Sequence, residues 1–367
     1  MEVPMSRPDI GAREIELVTQ VLRTPYLSIG PMIERLEQGM ARYIGATHAA
    51  GVSNGTAGLH LCVRAAGIGE GDEVITTPFS FVASANCMLY ERARPVFVDI
   101  EPDSLNMDPN RIEEAITPRT RAILPVHAFG QPADMHPILD IARRHDLCVI
   151  EDACEALGAE YKGRKAGTLG DAAVFAFYPN KQMTTGEGGI IVTNRPDWDT
   201  LYRSLRNQGR DVFDAWLNHS RLGYNYRLDE LSAALGVAQL KRIEELLQKR
   251  ERVAQMYNQR LSGIKGVTVP FIASTTTRVS WFVYVIRLAA EIDRNGMMKA
   301  LEQRGIPSRP YFSPIHLQPF YRQMFGYHEG DFPITERVAR STLALPFYGS
   351  LEEERIDYVC ENLRHLA

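Results

Sequence analysis

Between about residue 48 and residue 193 the chain alternates short apolar runs with stretches of helical spacing. THAAGVS, DEVITTP, RPVFVDI, RAILPVHAFG, LCVIEDA, AAVFAF and GIIVTN read as strands. GTAGLHLCVRAAG, FVASANCMLYERA, PNRIEEAI and MHPILDIARRH, which fall between several of them, read as helices. Strands alternating with helices build an α/β layer around a largely parallel sheet. The runs are apolar nearly throughout, as expected of strands covered on both faces. After about residue 230 the character changes. DELSAALGVAQLKRIEELLQKRERVAQMYNQRL predicts one long helical stretch, whose charged second half reads as a solvated connector. VSWFVYVIRL predicts a strand, RNGMMKALEQRGI a helix stopped by Gly305 and Pro307, and LEEERIDYVCENLRHL a C-terminal amphipathic helix. The pattern therefore predicts a large α/β domain over residues 1–240 and a smaller α+β domain over 241–367.

Composition agrees with this picture. At 367 residues the chain is long enough for two domains. Its 41 basic and 45 acidic residues leave a net charge of −4, which attracts neither nucleic acid nor an anionic membrane. No apolar run reaches the roughly 18 residues a membrane span needs. The start, MEVPMSRPDIGAREIE, lacks the basic-then-apolar order of a signal peptide. Cys62, Cys87, Cys148, Cys154 and Cys360 are scattered and form no C-x-x-C pair, so a reduced, cytoplasmic protein is expected.

In α/β sheets ligands collect at the carboxyl ends of strands, so chemistry is expected just after each apolar run. SNGTAG, Ser53 to Gly58, opens a helix after the first run. Unpaired N–H groups and a positive dipole end suit a phosphate there, and Gly55 permits close backbone approach. Ser53 or Asn54 is equally well placed as an ordinary N-cap. No G-x-x-x-x-G-K-[ST] and no strand-linked G-x-G-x-x-G occurs, which argues against a nucleoside-triphosphate or dinucleotide site. PFSFVASAN sets Phe79 and Phe81 near a helix start, where an aromatic can stack on a planar ligand or fill core. Glu151 and Asp152 end a buried run, and a desolvated carboxylate needs a partner: a protonated ring nitrogen, or the N–H groups of the next turn. Lys181, in FYPNKQMTTGEGGIIV, follows another run with glycines nearby. It is either a solvated hairpin tip or an amine held in a partly dry pocket, where it can form Schiff bases. His127 ends a strand and reads as a core or loop histidine. The nine histidines show no metal-ligand spacing, and neither H-E-x-x-H nor G-x-S-x-G occurs.

A phosphate cup, a stacking aromatic, an acid for a ring nitrogen and an amine for an imine are the four handles of pyridoxal 5'-phosphate (PLP). SIGPMIERLE, SNGTAGLHL, PFSFVASAN, PVFVDIEPDSLNMDP, PVHAFGQPADM, IEDACEALGA, FYPNKQMTTGEGG, LGYNYRLDELSAALG and PIHLQPFY occur in that order along nearly the whole chain. In them the chain resembles the DegT-type sugar aminotransferases, PLP enzymes of fold type I that act on nucleotide-linked keto sugars. The resemblance implies an aspartate-aminotransferase-like large domain with a mostly parallel mixed sheet. It implies that Lys181 carries the cofactor and shuttles the proton, that Asp152 pairs with the pyridine nitrogen, and that Phe81 stacks on the ring. Gly55 and Thr56 would hold the phosphate, Glu155 would belong to the cofactor site, and Asn225 would reach the phosphate of a neighbouring subunit in a homodimer. Ser28, Tyr311 and His316 would line the sugar-nucleotide pocket.

Two positions mark this chain within the resemblance. Ala176 stands five residues before Lys181, where many relatives carry a phosphate-binding serine. One hydrogen bond to a charged group, about 1.5–3 kcal/mol, is then missing, and weaker cofactor retention is expected. Glu155 stands where many relatives have Gln or His, and resembles enzymes like perosamine synthase, which aminate C4 of a 4-keto-6-deoxy sugar. TTGEGG after the lysine points the same way. The implied reaction takes an amino group from glutamate, through the pyridoxamine form of the cofactor, to the sugar ketone. The alternatives are a C3 keto-sugar or keto-cyclitol aminotransferase, or a non-catalytic sugar-nucleotide-binding regulator of the same fold. Sugar dehydratases of this fold replace the lysine with histidine, so Lys181 argues against that activity, and the missing G-x-G-x-x-G against a Rossmann-type epimerase.

Overall fold

The computed structural model describes residues 1–211 and 218–367. Helices α1 (Ala12–Leu22) and α2 (Pro31–Ile44) lead into β1 (His48–Val52), α3 (Gly55–Ala65), β2 (Glu73–Thr76), α4 (Ala83–Leu89) and β3 (Arg94–Phe97). Then come β4 (Thr120–Ile123), α5 (Met135–Arg144), β5 (Cys148–Asp152), a small hairpin of β6 (Glu160–Tyr161) and β7 (Arg164–Lys165), β8 (Ala172–Ala176), β9 (Gly189–Thr193) and α6 (Pro196–Arg206). The main sheet has the order β1-β9-β8-β5-β4-β2-β3. Its neighbours from β8 to β3 pair in parallel, whereas β9 runs antiparallel to both β8 and β1. An antiparallel neighbour needs no helical crossover, so β8 passes to β9 through one loop, and Lys181 lies in it.

Both faces of this sheet are covered, which explains the unbroken apolar runs. Ala173, Phe175, Ile190 and Val192 pack with Leu36 and Met40 of α2. Val174 and Ile191 point the other way, into a layer with Leu59 and Val63 of α3 and Tyr202 of α6. Successive residues of one strand thus feed two cores.

The remaining elements are α7 (Glu230–Leu240), α8 (Ile243–Leu261), β10 (Val267–Thr268), β11 (Thr276–Arg278), β12 (Tyr284–Leu288), α9 (Arg294–Glu302), α10 (Pro319–Phe325), α11 (Pro333–Ser341), β13 (Thr342–Leu345) and α12 (Glu353–Leu366). A three-stranded antiparallel sheet, β10-β12-β13, packs with α8, α9 and α12 around a core that includes Tyr257, Tyr284, Leu301 and Val359. Val3 belongs to this C-terminal core too, its N–H donating to the Gly305 carbonyl, although the sequence pattern placed residues 1–240 together.

Three expectations change. The long helical stretch breaks between Leu240 and Ile243, where Arg242 leaves helical geometry (φ −113°, ψ 12°). Its charged second half is no solvated connector: Ile243, Leu246, Leu247, Arg250, Val253, Ala254, Tyr257 and Leu261 form a buried stripe along α8. PNRIEEAI makes two short 3-10 turns, Pro109–Arg111 and Glu113–Ala115, with Ile112 between them buried. Pro118 follows closely and disfavours helical geometry at Thr117, which bars extension of the segment past Ile116. Among the described residues no helix is long and apolar enough to cross a membrane.

Candidate active site

A cavity of about 440 Å³ opens where β5 and β8 end and α3 begins. Gly55, Thr56, Phe81, Asp152, Glu155, Lys181 and Tyr311 all line it. Phe282, Tyr311 and Phe312 reach it from the C-terminal part of the chain, so its wall is built from both halves.

At one end lies the start of α3. Asn54, not Ser53, is the N-cap, its side chain accepting from Ala57 N–H at 2.8 Å. The amides of Gly55 and Thr56, at the first two helical positions, have no partner within the helix, and the dipole makes this end positive. The floor is tight: a Cβ on Gly55 would lie 2.9 Å from both Ala176 Cβ and Cys154 Sγ.

Neighbouring acids on β5 diverge. Glu151 turns away from the cavity and is fully buried, accepting from the N–H groups of Gly167, Leu169 and Gly170 at 2.7–2.8 Å. Ala133 N–H donates to Nδ1 of His127, so Nε2 carries the proton and donates to Glu151 at 2.9 Å. Burial pushes the Glu151 carboxyl up, but the His127 hydrogen bond and these amides outweigh it and hold the carboxyl below its ordinary range. His127 is thus a support of the strand end. Asp152 points into the cavity, with Ser84 Oγ donating to Oδ2 at 2.7 Å and Cys154 N–H to Oδ1 at 3.1 Å. Ser80 Oγ lies 2.7 Å behind Ser84 Oγ.

Lys181 is no solvated hairpin tip, since its side chain is only 13% exposed. Its Nζ lies 3.6 Å from the centre of the Phe282 ring and 3.7 Å from Glu155 Oε1. Glu155 is buried and accepts from Phe129 N–H at 2.9 Å. Burial raises its carboxyl above the ordinary range, and the nearby ammonium offsets only part of that. Burial, with the Glu155 charge behind it, pushes the Tyr311 phenol up to about 12, so it stays protonated as a donor. The glycines after the lysine serve the backbone more than the cavity. Gly186 turns with φ 81°, and a Cβ on Gly189 would meet Asn54 backbone atoms at 2.8–2.9 Å.

Three predicted residues stand outside the cavity. His316 is 0% exposed, its Nε2 lies 3.1 Å from Glu336 Oε1, and burial lowers its basicity. It is a buried support and does not line the cavity. Ser28 is exposed on the strand-like bridge it forms with Asp229. Asn225 is exposed between Tyr224 and Tyr226, whose rings stack at 4.9 Å beside His60. Ser80, Ser84 and Phe282 were not singled out from sequence. Ser80 precedes α4 and Ser84 lies in its first turn, so the turn into the helix, not a helical spacing, brings the two hydroxyls together.

A positive helix start, a paired carboxylate and a nearly dry amine on one cavity match the phosphate, ring nitrogen and aldehyde of PLP. The Gly55 floor, which a single methyl would fill, gives the close backbone approach that a phosphate requires. Comparison with known proteins agrees. Residues 8–364 match the DegT/DnrJ/EryC1/StrS aminotransferase family. The chain is 43% identical over 361 residues to GDP-perosamine synthase of Caulobacter vibrioides, covering 97% of this chain and 96% of that protein. It is 39% identical over 379 residues to spore coat polysaccharide biosynthesis protein SpsC of Bacillus subtilis, covering 100% and 97%. Its structure matches the PLP form of Spr1654 from Streptococcus pneumoniae with a TM-score of 0.95 at 26% identity, covering 100% of this chain and 98% of that one. The chain belongs to the DegT/DnrJ/EryC1/StrS aminotransferase family and is a PLP-dependent aminotransferase.

Proposed function

We propose that this protein moves an amino group from glutamate to the keto group of a nucleotide-linked sugar, at C4 of a 4-keto-6-deoxy sugar, as a cytoplasmic homodimer. The observation that carries the reading is the convergence of Lys181, Asp152 and the α3 start on one cavity. Similarity to a GDP-perosamine synthase supports the sugar class, and Glu155 beside the lysine is the residue that resemblance associates with C4 enzymes.

Each residue has a defined task. The Gly55 and Thr56 amides and the Thr56 hydroxyl would hold the phosphate. Asp152, fixed by Ser84 and Cys154, would keep the ring nitrogen protonated. Phe81, which lines the cavity and is 64% exposed in the isolated chain, would stack on the planar group. When bound, PLP supplies an electron sink for the carbon beside the substrate nitrogen. Lys181 would hold the proton at Nζ and move it as general acid and base. Phe282 beneath the amine and Tyr311 on the cavity wall would exclude water from that transfer. Asn225, exposed on the surface, is free to complete the phosphate site of a second copy.

Purified protein loaded with PLP should be yellow and should bleach on addition of glutamate. A GDP- or TDP-linked 4-keto-6-deoxy sugar should restore the colour, and NMR of the product should place the new amine at C4. Full turnover by Lys181→Ala would refute the mechanism, and amination at C3 the regiochemistry.

A further inference from the structure

Arg250 sits at the middle of the buried stripe of α8, where every neighbouring position of the stripe is apolar. It is 5% exposed and, among the described residues, pairs with no carboxylate within 4 Å. Its fork goes instead to four main-chain carbonyls. Nη2 donates to Asn180 O at 3.1 Å and Lys181 O at 2.7 Å. Nη1 donates to Trp281 O at 3.2 Å and Phe282 O at 3.1 Å. None of these carbonyls receives another hydrogen bond from the described residues.

A buried cation with no directly paired carboxylate is costly, the charge of Asp9 acting on it only from beyond ion-pair distance, and an apolar residue of similar volume would serve the stripe as well. What the apolar residue could not do is join these two places. One pair of carbonyls belongs to the lysine turn, and the other to the segment whose Phe282 ring lies 3.6 Å beneath the Lys181 amine. A guanidinium is planar, with its donors in a fixed geometry, so it sets both segments relative to each other and to α8. Burial lowers the basicity of Arg250 to about 10, so it keeps its charge at neutral pH.

We propose that Arg250 is a positioning residue for the reactive amine: by clamping the carbonyls of Asn180 and Lys181 to those of Trp281 and Phe282, it fixes the height and direction of Lys181 Nζ over the Phe282 ring. This rests on Lys181 being the amine that binds PLP. Its consequence is kinetic. A displaced amine reacts slowly with the PLP aldehyde and moves protons slowly, while ground-state binding of the substrates is retained.

The test uses the full-length protein, freed of PLP and then recharged. Arg250→Met fills the volume without donors, Arg250→Lys keeps the charge without the fork, and Arg250→Ala leaves room for added guanidinium ion. Arg252→Met, exposed on the same helix, is the control. Folding is followed by circular dichroism and melting. PLP attachment is followed by the growth of yellow absorbance, its pH midpoint, and borohydride fixation with the adduct located by peptide mass. We expect folded Arg250→Met to attach PLP at Lys181 roughly 100-fold more slowly, the scale of an ångström's misplacement. The pH midpoint should be displaced and kcat should fall by a similar factor with KM for glutamate unchanged. Arg250→Lys should recover part of the rate. Guanidinium at low concentration should restore Arg250→Ala but not Lys181→Ala. Wild-type attachment rate and pH midpoint in folded Arg250→Met overturn the proposal. If Arg250→Met does not fold, the decision passes to Arg250→Lys and guanidinium: a wild-type rate in the lysine variant, or no rescue of folded Arg250→Ala, overturns it. An adduct on a residue other than Lys181 in the wild type overturns both this proposal and the functional reading beneath it.

Discussion

Ala176→Ser should tighten PLP binding. Ala176 ends β8, lines the cavity and is half-buried, and its Cβ lies 2.9 Å from where a Cβ on Gly55 would stand. A hydroxyl added there lies beside the α3 start, whose free amides face the same space. Its expected partner is the phosphate, and a hydrogen bond to a charged group contributes about 1.5–3 kcal/mol. At one factor of ten per about 1.4 kcal/mol, the gain is about 10- to 150-fold in Kd. The lower end is expected, because a new serine must be fixed in one rotamer and its hydroxyl desolvated, both of which oppose the gain. Equilibrium dialysis of the apoprotein with PLP measures the Kd, and inorganic phosphate as a competitor separates the phosphate contribution from attachment to Lys181. Thr56→Ala should weaken binding by a comparable factor in the opposite direction. Were Ala176→Ser to leave both the PLP Kd and phosphate competition unchanged while Thr56→Ala weakened both, the phosphate would not reach the end of β8, and the reasoning would fail.

Ser84→Ala removes the hydroxyl that donates to Asp152 Oδ2 at 2.7 Å, and steady-state assays should show kcat lower by roughly tenfold, the weight of one charged hydrogen bond, with PLP still attached to Lys181. Glu151 has a carboxyl depressed below its ordinary 4.5, so its contribution to stability is fully present above that value and is lost as pH falls through the lower folded value. Melting curves should therefore show Glu151→Gln clearly less stable than wild type at neutral pH, with the gap closing as pH drops below 4.5; a constant gap would refute this. Gly189→Ala places a Cβ 2.8 Å from the Asn54 backbone, which cannot yield as a flexible side chain would, and denaturant titration should show a loss of about 1–3 kcal/mol together with weaker PLP binding.

Much of the sheet could be read from the sequence because both faces are buried, which turns each strand into an uninterrupted apolar run. That same burial hid which of two adjacent acids carries chemistry. Glu151 and Asp152 must point to opposite faces, but the strand's period does not say which face holds the cavity. The hairpin β6–β7 decides it, since the turn that follows brings the amides of Gly167, Leu169 and Gly170 to Glu151. The place of His316 was hidden for a related reason: its partner Glu336 is twenty residues away, and only packing shows that the pair is buried outside the cavity lining.

The lysine stretch shows how local and distant information combine. FYPNKQMTTGEGGIIV does form the turn between antiparallel strands that its glycines suggest, yet the amine in it is nearly dry. Dryness comes from Phe282, a hundred residues later, and from the helix that positions it. The clue was present in the long helical stretch as one arginine at a position where the spacing of apolar residues demands another apolar one. A charged residue on the polar face of a helix is ordinary, but one on the buried stripe has to be bound to something. In α8 the backbone carbonyls beside Lys181 and Phe282 bind it, so the most informative residue outside the cavity is the one that breaks the pattern used to find the helix.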